Sequence, residues 1–266
     1  MSTAFSEILA GAGGEPGRRT YVVTEDWHQG RTAYGGFSTA LALATAIEAG
    51  EDLPPLRSAQ VSMIAPVFGE VEVRARQVRR GRNATWMAAE VLREGEVAFT
   101  ASFVFMGPVA SAIHVNDRPV PAELIPVDEA KGFVNDRGPS FLRHNFDVRF
   151  ALPRNGGLGS EDKRPEMCWW VRARDRAALD PMVELVLCAD ALPPGVMSLL
   201  TPATPVSTMQ WQVNLLTPAP ATRDGWWLLR SRADYAEAGC SSQRMAIWND
   251  AGTPMLAGMQ SVALFG

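Results

Sequence analysis

YGGFSTALALATAIEAG, residues 34–50, is the stretch from which the rest of the chain can be read. From Phe37 to Gly50 its residues are apolar or small at almost every position, and Glu48 is the sole charge. No polar stripe recurs at a helical period, so the segment reads as a helix buried on every side rather than one lying on a surface. Gly50 is placed to end it. Strand-like segments follow: Gln60–Val67, Gly69–Val78 with Val and Ala alternating against charge, Ala84–Glu94, and the apolar Glu96–Met106. Gly69 and Gly95 mark turns between them. The order is one buried helix and then a meander of four strands. Four arginines between residues 76 and 82 (Arg76, Arg79, Arg80, Arg82) fall between alternating segments. They read as a solvated hairpin turn, with anion binding as the other reading.

From Gly107 to Pro139 periodicity is lost and five prolines occur, which reads as a linker crossing a surface. The pattern then resumes. Phe146–Pro153 and Met167–Asp175 are strand candidates, and Asp180-Pro181 supplies an N-cap followed by proline at the first helical position. MVELVLCADAL is a second apolar helix, stopped by Pro193-Pro194. Four more strand candidates follow, the last ending at the C-terminus. Ala65-Pro66 answers to Thr217-Pro218, Gly81 to Gly239, Gly95 to Gly252 and Gly107 to Gly266, at offsets of 152 to 159. A period this long indicates a duplicated domain rather than a solenoid. The expected division is 1–107, a linker 108–139, and 140–266.

An all-apolar helix beside an antiparallel sheet must be wrapped by that sheet, because nothing else covers it on every side. That is the hotdog arrangement. Two copies pairing edge to edge would hide their open edge strands. The expectation is therefore an α+β double hotdog: two curved antiparallel sheets, each around a buried helix, forming one continuous sheet.

A length of 266 residues suits two units of about 130. Acidic residues exceed basic ones by four, and no Lys/Arg-rich tract suggests a nucleic-acid partner. Cys168, Cys188 and Cys240 are few and scattered, which argues for a reducing compartment and against a disulfide framework. Neither Cys-x-x-Cys nor His-x-x-x-His spacing occurs, so no metal site is expected. The first residues lack the basic start of a signal peptide, and no apolar run is long enough for a membrane span. The expected location is the cytoplasm.

For chemistry, the Gly-x-Ser-x-Gly elbow is missing, and the three histidines (His28, His114, His144) are poorly placed for a nucleophile–base pair. Carboxylates remain. Asp190 lies near the C-terminal end of an apolar helix, where a negative charge opposes the helix dipole. Residues that break a stability rule are candidates for function, although a solvent-facing Asp after a frayed end would look the same. Gln260 interrupts an apolar strand, and Thr208 opens another. Each could instead be an ordinary strand residue. Gly35-Gly36 at a helix N-terminus would offer backbone N–H groups to an anion or a carbonyl oxygen, or merely permit the turn.

Taken together, AYGGFSTALALA, QVSMIAPV, FTASFVF, CADAL, VSTMQWQVNLL and AGMQSVALF resemble, in order and over nearly the whole chain, the double-hotdog acyl-CoA thioesterases of the bacterial thioesterase II type. The resemblance implies that Asp190, Thr208 and Gln260 together hold an attacking water. It also implies substrate binding around Tyr34, Gly35 and Gly36, an acyl-CoA substrate, a homo-oligomer, and no metal or redox cofactor. Two departures stand out: Gln210-Trp211 where the family usually has Asp-His, and a short stretch between Asp190 and Thr208. The alternatives are a hotdog enoyl-thioester hydratase or dehydratase, which would use an Asp–His pair, and a non-catalytic acyl-CoA binder.

Overall fold

The computed structural model describes residues 2–132, 138–153, 163–177, 179–201 and 204–265. Linker positions 133–137 and Gly266, with the repeat match resting on it, lie outside the described residues.

The elements run α1 (Phe5–Ala10), β1 (Gly13–Glu15), β2 (Arg18–Val23), β3 (His28–Gln29), β4 (Thr32–Ala33), α2 (Gly35–Ala49), β5 (Leu56–Met63), β6 (Gly69–Arg80), β7 (Ala84–Arg93) and β8 (Glu96–Met106). After the linker come α3 (Ser140–Asn145), β9 (Phe146–Phe150), β10 (Glu166–Ala173), α4 (Pro181–Ala189), β11 (Val206–Leu215), β12 (Trp227–Glu237), β13 (Cys240–Asn249) and β14 (Pro254–Leu264). Among the described residues twelve strands form one antiparallel sheet in the order β1-β2-β6-β7-β8-β5-β11-β14-β13-β12-β10-β9, with β3-β4 a separate small hairpin. The continuous double-hotdog sheet expected from the sequence is present.

Both helices sit in the apolar core, as their composition requires. Ten residues of α2 are buried, and the two threonines among them are satisfied within the core. Thr39 donates to the Gly35 carbonyl at 2.7 Å and Thr45 to the Leu41 carbonyl at 2.9 Å. At α4 the Asp180 carboxylate caps the first turn, accepting from the N–H groups of Met182 and Val183. The helix ends at Ala189, short of Pro193-Pro194, so Asp190 is the first residue beyond it.

Two expectations need correction. Only β6, β7 and β8 form a meander, because β5 pairs with β8 and β11 instead of β6. Had β5 paired with β6, apolar β8 would be left as an open edge. The arginine run is also mostly strand. β6 continues through Arg80, with Arg79 paired to Trp86 and Arg80 to Thr85, so Arg82 alone of the four lies in the turn.

The halves correspond in register as well as in order. At the join, Gln60 faces Gln212, with Ser58 opposite Asn214 and Ser62 opposite Gln210, so a pseudo-twofold axis passes through the glutamine pair. The pairs Leu56–Phe105, Ala59–Phe103 and Val61–Ala101 are repeated as Thr208–Val262, Trp211–Gln260 and Val213–Gly258. Even the bulge recurs, at Arg57 in β5 and at Met209 in β11. One asymmetry lies on the outer face of the second half. There linker residues cover a small apolar cluster, and the Trp170 and Trp248 indoles donate to the carbonyls of Ile125 and Arg118, each at 2.8 Å.

Candidate active site

The N-terminus of α2 meets the C-terminal end of α4. Tyr34, stacked on Phe141 with ring centroids 4.1 Å apart, donates its hydroxyl to the Leu187 carbonyl. Only glycine permits this approach. A Cβ on Gly36 would fall 2.8 Å from the Leu187 carbonyl oxygen and 3.2 Å from the Asp190 Cβ. A Cβ on Gly35 would fall 2.5 Å from Asp190 Oδ2.

Asp190 therefore projects from the end of α4 against the first turn of α2. Its carboxylate accepts a hydrogen bond from the Gln260 side-chain amide and another from the backbone of Gly36. Burial pushes its pKa up from 3.8 to about 7, although both hydrogen bonds favour the ionised form. Tyr34 is likewise held well above its ordinary value, chiefly by burial.

Asp190, Gln260 and Gly35 border a cavity of about 800 Å³. Apolar side chains such as Phe99, Phe141, Leu142, Phe150 and Met167 make up much of its wall. Asp190, Thr208, Gln260, Gly35 and Ser38 converge on one part of it. Among the described residues Arg31 and Asp190 are the charged members of the lining, and no histidine belongs to it.

Thr208 reaches the cavity through the bulge. In β11 Trp211, Val213 and Leu215 face the core, and strict alternation would turn Thr208 outward. The extra residue Met209 shifts the phase, so that Thr208 sits opposite Val262 and faces inward, two residues along the neighbouring strand from Gln260. Of the six site residues expected from the sequence, Asp190, Thr208, Gln260 and Gly35 line the cavity. Tyr34, 1% exposed, and Gly36 lie behind it and hold α2 against α4.

Residues 23–106 match the acyl-CoA thioesterase N-terminal domain, and residues 119–264 match the acyl-CoA thioesterase C-terminal domain. The chain belongs to the acyl-CoA thioesterase family. Solved structures agree on the fold of this chain. An acyl-CoA thioesterase II from Mycobacterium marinum is 19% identical, with TM-score 0.76 and 98% of each chain covered. A hot dog fold protein of unknown function from Alicyclobacillus acidocaldarius is 21% identical, with TM-score 0.84, covering 100% of this chain and 99% of that one. Among curated proteins, none matches this sequence.

Behind the Asp190–Gln260 contact lies a polar chain that the sequence reading missed. Gln260 Oε1 accepts from Gln243 Nε2, and Gln243 Oε1 accepts from Ser231 Oγ at 3.0 Å and from the Gly195 N–H at 2.8 Å. Gln243 and Ser231 are fully buried. One signal was available. Ser241, Gln243, Met245 and Ile247 share the inward phase of β13, so its first two inward positions are polar where apolar residues belong.

Proposed function

We propose that this thioesterase hydrolyses an acyl-CoA by direct attack of one water, with Asp190 as general base and Thr208 and Gln260 holding the water. The observation that carries the reading is Asp190 itself. It is a carboxyl at a helix C-terminus, walled in by glycines, titrating near 7, and open to an apolar cavity. A base with a pKa near neutrality is mostly ionised at physiological pH yet still basic enough to take a proton.

The steps balance without a cofactor. The water oxygen attacks the thioester carbonyl carbon while its proton passes to Asp190. The C–S bond then breaks, the proton on Asp190 passes to the departing sulfur so that CoA leaves as the thiol, and the carboxylic acid keeps the second proton of the water. The developing oxyanion is assigned to the Gly35 N–H, since the Gly36 backbone is engaged by Asp190. The apolar wall accommodates the acyl chain. A hydratase reading lacks support, because no histidine among the described residues reaches the cavity.

The test is thiol release over a panel of acyl-CoAs of different chain length, with Asp190→Asn alongside. Turnover of at least one acyl-CoA by the native chain, lost in the variant, supports the reading. Binding without turnover across the panel makes the chain an acyl-CoA binder. Activity of the variant within about twofold of native removes Asp190 as the base.

A further inference from the structure

The chain from Gly195 to Asp190 has a direction. A backbone N–H can only donate, and the Gly195 N–H points at the side-chain oxygen of Gln243. A flipped Gln243 amide would set NH2 against N–H, so its oxygen is held at Gly195 and its NH2 faces Gln260. Gln260 must then turn its oxygen to Gln243, which leaves its own NH2 for Asp190.

We propose that Gln243 is a positioning residue that, set by the Gly195 N–H, fixes the Gln260 amide with its NH2 towards Asp190. This rests on the reading of Asp190 as the base. The opposite orientation would put the Gln260 oxygen against the carboxylate, and Asp190 would have to be protonated to make the contact.

Three observations support a built device over incidental packing. Gly195 has no room for a side chain: a Cβ there would lie 2.7 Å from the Pro165 carbonyl oxygen and 2.9 Å from that of Ser231. Ser231 closes the corner, accepting from the Gly195 N–H at 3.0 Å while donating to Gln243. The third is the other half of the chain. Gln260, Gln243 and Ser231 answer in register to Phe103, Met87 and Ala75, so the same backbone is built there without polar side chains. A polar row is therefore not something this sheet needs in order to fold.

The charged and titratable groups around Asp190 are few. Tyr34 and Cys188 are both kept neutral by burial, and Arg31 lies on the shared cavity lining. None of them touches Gln243, so a substitution there reaches Asp190 through Gln260.

The experiment uses Gln243→Met and Gln243→Glu in the full-length chain. Carboxyl titration of Asp190 is followed by NMR with 13C-labelled aspartate, and kcat and KM are measured against pH where turnover occurs. With Gln243→Met the Gln260 amide loses its fixed donor. The Asp190 midpoint should rise by about one pH unit, and kcat should fall roughly tenfold with KM unchanged. A protonated glutamic acid can reproduce the pattern, its carbonyl accepting from Gly195 and its O–H donating to Gln260. Gln243→Glu should therefore be near native at low pH and acquire a new alkaline fall in kcat as the introduced carboxyl ionises. A purely structural role gives no such limb. If both variants keep the native Asp190 midpoint, the proposal is overturned, even if their melting temperatures drop. If the native chain turns over no acyl-CoA, the catalytic reading fails instead, while the Asp190 titration still decides whether Gln243 orients Gln260.

Discussion

Replacing Asp190 by Asn should make the protein more stable at pH 8 and inactive at every pH. Raising a carboxyl from 3.8 to about 7 means the folded state is disfavoured by about 4 kcal/mol once the group ionises. Cavity water screens part of this. The net gain expected at pH 8 is about 2 kcal/mol, or a Tm rise on the order of 5 °C in a chain of this size. The sign with pH follows from the direction of the shift. Asp190 costs the native fold nothing below about pH 4, where it is protonated in both states, and destabilises it progressively as pH climbs towards 7. The variant's advantage should therefore be absent at pH 4, grow between pH 4 and 7, and level off above pH 8. In the native chain kcat should fall about tenfold per unit below pH 6, with an acidic midpoint near 7. At pH 8 the variant should lose about 10²–10⁴-fold, and the acidic limb should be absent from its profile. Thermal melts and thiol release on the two proteins at pH 4, 6 and 8 decide. A stability gap that is largest at pH 4, or equal melting at pH 8, would refute the argument that Asp190 is a desolvated carboxylate.

Thr208→Val and Gln260→Ala should each lower kcat about tenfold to a hundredfold with little change in KM, as expected for one lost orienting hydrogen bond. Their double variant should lose less than the product, because both act on one water. A melting shift without a kinetic one would return both to ordinary strand residues. A non-hydrolysable thioether analogue of acyl-CoA should bind at one per chain in calorimetry, since Leu56 and Phe103 stand where the second half has Thr208 and Gln260. Two equivalent sites would contradict this. Tyr34→Phe should cost roughly 1–3 kcal/mol of stability through the orphaned Leu187 carbonyl and leave KM unchanged. A raised KM with an unchanged melt would restore Tyr34 to substrate binding.

The fold was legible because burial leaves a compositional trace. An all-apolar α2 and the repeated strand–glycine punctuation dictate a wrapped, duplicated architecture before any contact is known. Asp190 was legible for a related reason, as a charge at the wrong end of an apolar helix. What stayed hidden depends on pairing. That β5 lies beside β8 is a long-range fact, and nothing local in QVSMIAPV reports it. Thr208 faces the cavity because of a bulge that strand alternation does not encode. Short β1 and β2, pairing through Gly13–Glu15 and Arg18–Val23, carry too little periodicity to be noticed. Gln243 was overlooked because two polar residues at the start of a strand look like the fraying of its end.

The register match between the halves doubles as a design manual. Two sequences share one backbone, and the first half records what the second would hold without its buried polar row. Copying across, Gln260→Phe, Gln243→Met and Ser231→Ala would transplant an apolar plug already proven on the equivalent strands. Such a chain would keep the double-hotdog backbone with its polar row replaced by apolar packing, a scaffold into which a different set of reactive side chains could be installed.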